Sequence, residues 1–163
     1  MTDLAAPGAE LTLPWAGRAD SHCFGCAPAN PVGLGLRFRP GSDSGIVTDL
    51  CLDRRFESYP GVLHGGIVAL VCDETMGNLV VLRHGTVAVT TSLRMRYVGV
   101  VAIGGRYSCH AWITGAPDGT IAGRAEVRDV HGELMATATA GYRPVPADDA
   151  GLPRTSPRGE DPT

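Results

Sequence analysis

The run from His64 to Val81 sets the terms for everything else in the chain. Ile67, Leu70, Val71 and Met76 recur at helical spacing, and Val68, Ala69, Cys72 and Val80 fill most of the remaining positions. A helix that is apolar nearly all round has to be enclosed rather than laid on a surface. In a chain of 163 residues there is room for one domain and one core to enclose it.

The flanking segments read as strands. Val87, Val89, Thr91, Leu93, Met95 and Tyr97 alternate with Ala88, Thr90, Ser92, Arg94 and Arg96, a period of two. Residues 121–130 alternate small or apolar side chains with Arg124, Glu126 and Arg128, and Leu134, Ala136, Ala138, Ala140 and Tyr142 make a further face. Gly104-Gly105, Pro117-Asp118-Gly119 and His131-Gly132 supply turns between strands. Two earlier strands are expected over 34–39 and 45–53. Two strands, one helix and a meander of about four strands give an α+β class, in which an antiparallel sheet curls around its single helix. The small residues at 136, 138 and 140 allow close approach. Residues 1–20 read as a flexible N-terminal arm, 21–143 as the domain, and 144–163, dense in Pro, Asp and Gly, as a disordered tail.

Composition narrows the function classes. A net charge of −3 gives no basic face for nucleic acid. All 14 basic residues are arginine, so mechanisms needing a lysine Schiff base or a Walker lysine are excluded. No stretch approaches an uninterrupted apolar membrane span. Five cysteines without a signal peptide point to a reducing, cytoplasmic compartment rather than a disulfide framework.

Chemistry concentrates at the start and middle of the helix. Gly65-Gly66 leave backbone N–H groups unobstructed at a helix N-terminus, where the dipole adds partial positive charge. Such a place holds an anion, or an oxygen that becomes anionic during acyl transfer; alternatively, the two glycines only permit a tight turn. Asp73 sits mid-helix among apolar residues, where an unpaired carboxylate is costly, unless it or Glu74 points to solvent from a partly exposed face. Asp73 lies eight residues beyond Gly65. At ~1.5 Å per residue, ~12 Å separates them, too far to act on one carbonyl. Two antiparallel helices across a two-fold interface would bring them together.

His64-Gly65-Gly66 followed by Asp73 and by the strand Thr90-Thr91-Ser92-Leu93-Arg94-Met95-Arg96-Tyr97 resembles the hotdog acyl-CoA thioesterases. The similarity is to the branch containing the phenylacetate-pathway thioesterase. The opening Cys23-Phe24-Gly25-Cys26 through Asn30-Pro31 and Gly33 resembles that branch as well, and the likeness runs from about Cys23 to Tyr142. It implies a hotdog fold of about five to six antiparallel strands wrapped around one long central helix, and a homodimer or dimer of dimers. It implies hydrolysis of an acyl-CoA, or an acyl-carrier-protein thioester, with CoA as part of the substrate and no metal or redox cofactor. Gly65, with Gly66 beside it, would polarise the carbonyl. Asp73 of the partner subunit would be general base or nucleophile, Thr90 would orient it or the water, and His64 would shape the acyl pocket. Relatives often carry Asn or Gln where this chain has Ser58, so that hydrogen bond is either absent here or comes from Ser58. Two other readings share these residues: a non-catalytic acyl-thioester-binding module, and a hotdog dehydratase, whose histidine-bearing segment is missing here.

Other signals are weaker. Cys23 and Cys26, with His22 adjacent, would be at most half of a zinc site, since no second Cys-x-x-Cys pair completes it, and the plainer reading is a loop that packs against the domain near the acyl pocket. Arg94 and Arg96, placed on the polar face of the Thr90 strand, either meet CoA phosphates or pair with acidic neighbours. Ser42 and its glycines have the wrong register for a nucleophile elbow, and Gly33-Leu34-Gly35 lacks the third glycine of a dinucleotide fingerprint.

Overall fold

In the computed structural model, which describes residues 8–145, the long helix α1 spans Gly65–His84. Its N-cap is His64, whose Nδ1 accepts from the Gly66 N–H at 2.9 Å. Gly85 closes it in the left-handed conformation (φ 63°), its N–H returning to the Val81 carbonyl. Arg83 and His84 in the last turn complement the dipole. The helix therefore runs one turn past the expected Val81.

Six strands form one antiparallel sheet: β1 Arg39–Pro40, β2 Ile46–Leu50, β3 Ala88–Tyr97, β4 Tyr107–Gly115, β5 Ile121–Asp129 and β6 Leu134–Pro144. Their spatial order is β1-β2-β4-β5-β6-β3, so β3 lies at an edge. The sheet contacts α1 through β2 to β6. One helix packed on a six-stranded antiparallel sheet is the expected hotdog arrangement. The expected strand over 34–39 is mostly a loop, because Leu34 and Leu36 donate to the carbonyls of Phe24 and Gly25 rather than to a neighbouring strand.

Val68, Val71, Cys72, Met76, Leu79 and Val80 face the sheet and are buried. Opposite them, Ala136, Ala138 and Ala140 keep β6 close to the helix, while Gly123 of β5 lets Met76 approach so near that a Cβ there would lie 3.2 Å from its sulfur. The helix is not enclosed all round, however. Ala69, Leu70, Asp73, Glu74 and Gly77 are only half-buried and Gly66 is exposed, so one face of α1 is only partly covered. By length and hydropathy the helix could cross a membrane, and half of it is buried inside the fold.

Of the expected N-terminal arm, residues 1–7 lie outside the described residues. From Leu11 onward the chain packs on the domain: Leu11 and Leu13 are buried, Leu11 N–H donates to Phe38 O at 2.7 Å, and Trp15 lies against the core. Of the expected tail, residues 146–163 are outside the described range.

Ala138 is 1% exposed between sheet and helix. Replacing it with leucine should cost about 1–3 kcal/mol through overpacking, read as a lower urea midpoint at unchanged m-value.

Candidate active site

Asp73 does not point freely into solvent. Its Oδ1 accepts from Tyr142 Oη at 2.8 Å and from Thr90 Oγ1 at 3.0 Å, and Thr90 also lies 3.3 Å from Oδ2. Thr90 and Tyr142 are direct partners across the β3–β6 ladder, so the register places two hydroxyl donors side by side under one carboxylate. Tyr142 is 1% exposed. Burial first, and then the Asp73 charge, push its phenol well above the ordinary range, so it stays a proton donor.

A β-bulge makes this arrangement possible. Thr90 pairs with Tyr142 and Ser92 with Gly141, leaving Thr91 unpaired in the ladder, with its Oγ1 donating to Gly141 O at 3.0 Å. Beyond the bulge, Leu93, Met95 and Tyr97 pair with Ala140, Ala138 and Ala136, all on the helix-facing side. The extra residue switches the alternation. Thr90 therefore shares a face with Leu93 and Tyr97, and not with Arg94 and Arg96 as strict alternation predicts. The two arginines pair with Thr139 and Thr137 on the opposite face, are exposed, and make no ion pair among the described residues. They do not join the Asp73 cluster.

The other half of the site lies at the helix N-terminus. His64 Nδ1 occupies the Gly66 N–H, which removes Gly66 as a donor to anything else. Because Nδ1 accepts, the ring proton sits on Nε2. The Gly65 N–H donates to no group among the described residues, and it is the open first-turn amide. Tyr97 Oη donates to Gly65 O at 2.7 Å and its ring lies over that glycine, 3.4 Å from where a Cβ would sit. Ser58 is exposed and its hydroxyl donates to Val62 O in its own turn, so it does not take the place of an amide side chain aimed at the carbonyl.

A cavity of about 530 Å³ opens beside this end, lined by Phe24, Val32, Arg55, Phe56, His64 and Ile67. Another, about 550 Å³, is lined by Asp49, Arg106, Tyr107 and Asp129 among others and includes none of the candidate residues. In one chain, then, the structure joins Asp73 with Thr90, and His64 with Gly65 and Gly66, as two separate groups.

Sequence reasoning missed Tyr142 and Arg55. Tyr142 was legible only as the single bulky polar-tipped residue ending the small-residue stripe of β6. Arg55, held 3.0 Å from Asp53 and stacked 5.6 Å over Phe56, had no pattern to separate it from the other arginines.

A sequence profile of the thioesterase superfamily matches residues 60–136, which hold both halves of the site except Tyr142. Over these residues the chain is similar to the thioesterase superfamily. Its fold is shared by a solved thioesterase superfamily protein (TM-score 0.68, 18% identity, 74% of this chain and 62% of that one), so this chain spans less than two thirds of that neighbour. It is shared also by a hypothetical thioesterase of Streptococcus pneumoniae with coenzyme A (TM-score 0.61, 19% identity, 68% and 88%). A third neighbour is the Escherichia coli PaaI protein from the phenylacetic acid degradation operon (TM-score 0.63, 13% identity, 69% and 81%). No curated protein shows significant sequence similarity to the chain.

Replacing His64 with alanine should remove the side-chain cap and lower unfolding free energy by about 0.5–2 kcal/mol, whereas Ser58→Ala should leave the urea midpoint within error.

Proposed function

We propose that this chain is a thioesterase-superfamily member that hydrolyses acyl-CoA thioesters, with Asp73 as the base. The observation that carries this reading is the Asp73 carboxylate itself, half-buried on an apolar helix and held by two aligned hydroxyl donors. A module that only bound thioesters would gain nothing from a charge kept there. Support comes from the coenzyme A of the pneumococcal neighbour. An aspartate and a threonine are also the residues replaced by alanine in two variant structures of that protein.

In the proposed reaction, Asp73 Oδ2, met only by the longer Thr90 contact, takes a proton from water. The water oxygen attacks the thioester carbonyl. The resulting oxyanion is held by the Gly65 N–H at a helix N-terminus, where fixed donors and the dipole favour negative charge. The C–S bond then breaks, and the thiolate of CoA leaves with the proton returned from Asp73. His64 lines the cavity beside this end, and that cavity takes the acyl group. No metal or redox step is required. A phosphopantetheine arm on a carrier protein would present the same thioester.

Because ~12 Å separates Gly65 from Asp73 along one helix, the pair that works together comes from two copies. Two features support a homo-oligomer. The stripe of Ala69, Leu70, Asp73 and Gly77 is only half-buried, and edge strand β3 exposes Leu93 and Tyr97 on its helix-facing side.

The test follows the loss of thioester absorbance across short, medium, long and aromatic acyl-CoAs. Wild-type protein should turn over at least one of them, and Asp73→Asn should reduce kcat by about 10²- to 10⁴-fold with the oligomer unchanged. Tyr142→Phe should lower kcat on the order of tenfold with little change in KM, the worth of one hydrogen bond to a charged group. Equal turnover by Asp73→Asn and wild type would remove the assignment. Tight acyl-CoA binding without any turnover would favour a binding module.

A further inference from the structure

Glu74, the residue after Asp73, serves a different cluster. It faces the N-terminal loop, where Cys23 Sγ, Cys26 Sγ and a Glu74 carboxylate oxygen all lie within 4.8 Å of one another. Cys23 Sγ is 3.2 Å from Glu74 Oε1. The loop is built before any ligand arrives: Ala27 N–H donates to Cys23 O, Leu34 N–H to Phe24 O, and Leu36 N–H to Gly25 O. Gly25 lies directly against the Glu74 carboxylate, where a Cβ would collide with its Cδ and Cγ. A side chain at the second spacer position would push the carboxylate away from the thiols. One turn further along the helix, Asn78 donates from Nδ2 to Glu74 Oε1 at 2.9 Å and fixes the carboxylate from behind, as outer-shell partners of metal ligands do. Asn78 is 3% exposed, and its own Oδ1 is buried without a partner.

The charges in this cluster do not balance by themselves. Among the described residues, the Glu74 carboxylate is met by a thiol and an amide, and by no cation. Cys23 Sγ donates to Glu74 Oε1, and Trp15 Nε1 donates to Cys26 Sγ. A divalent cation between the Cys23, Cys26 and Glu74 side chains would supply the missing positive charge.

We propose that Cys23, Cys26 and Glu74 bind one zinc ion, with water as the fourth ligand, clamping the 23–36 loop onto α1. Two thiolates and one carboxylate suit a borderline-soft tetrahedral ion, and bonds of about 2.3 Å to sulfur and 2.0–2.2 Å to oxygen bring ligand atoms within the observed spacing. Binding releases the thiol protons to solvent, leaving the ligand set and zinc with one net negative charge. Half-buried Cys23 and Glu74 leave the water position open to solvent. Phe24, held between the two cysteines, and Val32 line the cavity beside His64, so the ion would fix one wall of that cavity. Only this last consequence, and not the metal site, rests on the thioesterase reading.

The probe is cobalt(II), added to the reduced, chelator-stripped full chain. One equivalent should give a thiolate-to-cobalt charge-transfer band with tetrahedral d–d bands, lost on adding equimolar zinc. Cys23→Ser and Glu74→Gln should each weaken cobalt binding at least tenfold, whereas Cys51→Ser, outside the cluster, should bind like wild type. Each variant is first matched to wild type by circular dichroism and gel filtration, and Glu74→Gln, the milder change, stands if Cys23→Ser does not fold. The proposal is overturned by the absence of the band at one equivalent, by affinity unchanged in Glu74→Gln, or by a Cys23–Cys26 disulfide that persists under reductant. The readout is spectroscopic, so it holds whether or not the chain hydrolyses thioesters.

Discussion

A carboxylate in the middle of an apolar core helix is tolerated only where fixed donors replace the water it has lost. Here those donors are Thr90 and Tyr142, opposite one another on β3 and β6, and much of the architecture follows from placing them. β6 must lie close under the helix, which its alanines permit. β3 must present Thr90 inward while keeping Leu93 and Tyr97 inward too, which a strand of strict period two cannot do. The bulge at Thr91 resolves that conflict at the cost of one ladder position.

The same helix supplies a second and different kind of group. At its N-terminus the His64 ring caps Gly66 and leaves the Gly65 amide open, so one first-turn donor is withheld from the fold's own hydrogen bonding. Tyr97 then ties the Gly65 carbonyl to β3, the strand that carries Thr90. Edge strand and helix are thus linked at both ends of the site. The helix face between these ends is only partly covered, and the edge strand beside it exposes Leu93 and Tyr97.

The sequence was most legible where one periodicity ran undisturbed. The helix from His64, the order of two strands, helix and strands, and the Asp73–Thr90 pairing all followed from spacing and resemblance, and the structure brings Asp73 and Thr90 within hydrogen-bond distance. Legibility failed where a local event broke the period. One unpaired residue at Thr91 sent Arg94 and Arg96 to the opposite face. Tyr142 looked like the end of a packing stripe because nothing in β6 alone shows that Asp73 lies across from it. Glu74 looked like a solvent-facing neighbour of Asp73, since its contacts with Cys23 and with Asn78 depend on a loop 51 residues earlier and a turn of its own helix.

The central claim is that the open Gly65 amide and the Asp73 carboxylate act together only across two copies. It is tested by mixing two inactive variants. Proline at 65 removes that N–H, and His64 at φ −60°, ψ 129° already has the conformation a following proline requires at the first helical position. Gly65→Pro and Asp73→Asn should each be inactive alone. Mixed by unfolding and refolding at equal concentration, they should regain roughly a quarter of wild-type turnover, because half the dimers are mixed and each has one intact site. No recovery in mixtures shown to contain mixed oligomers would contradict the account.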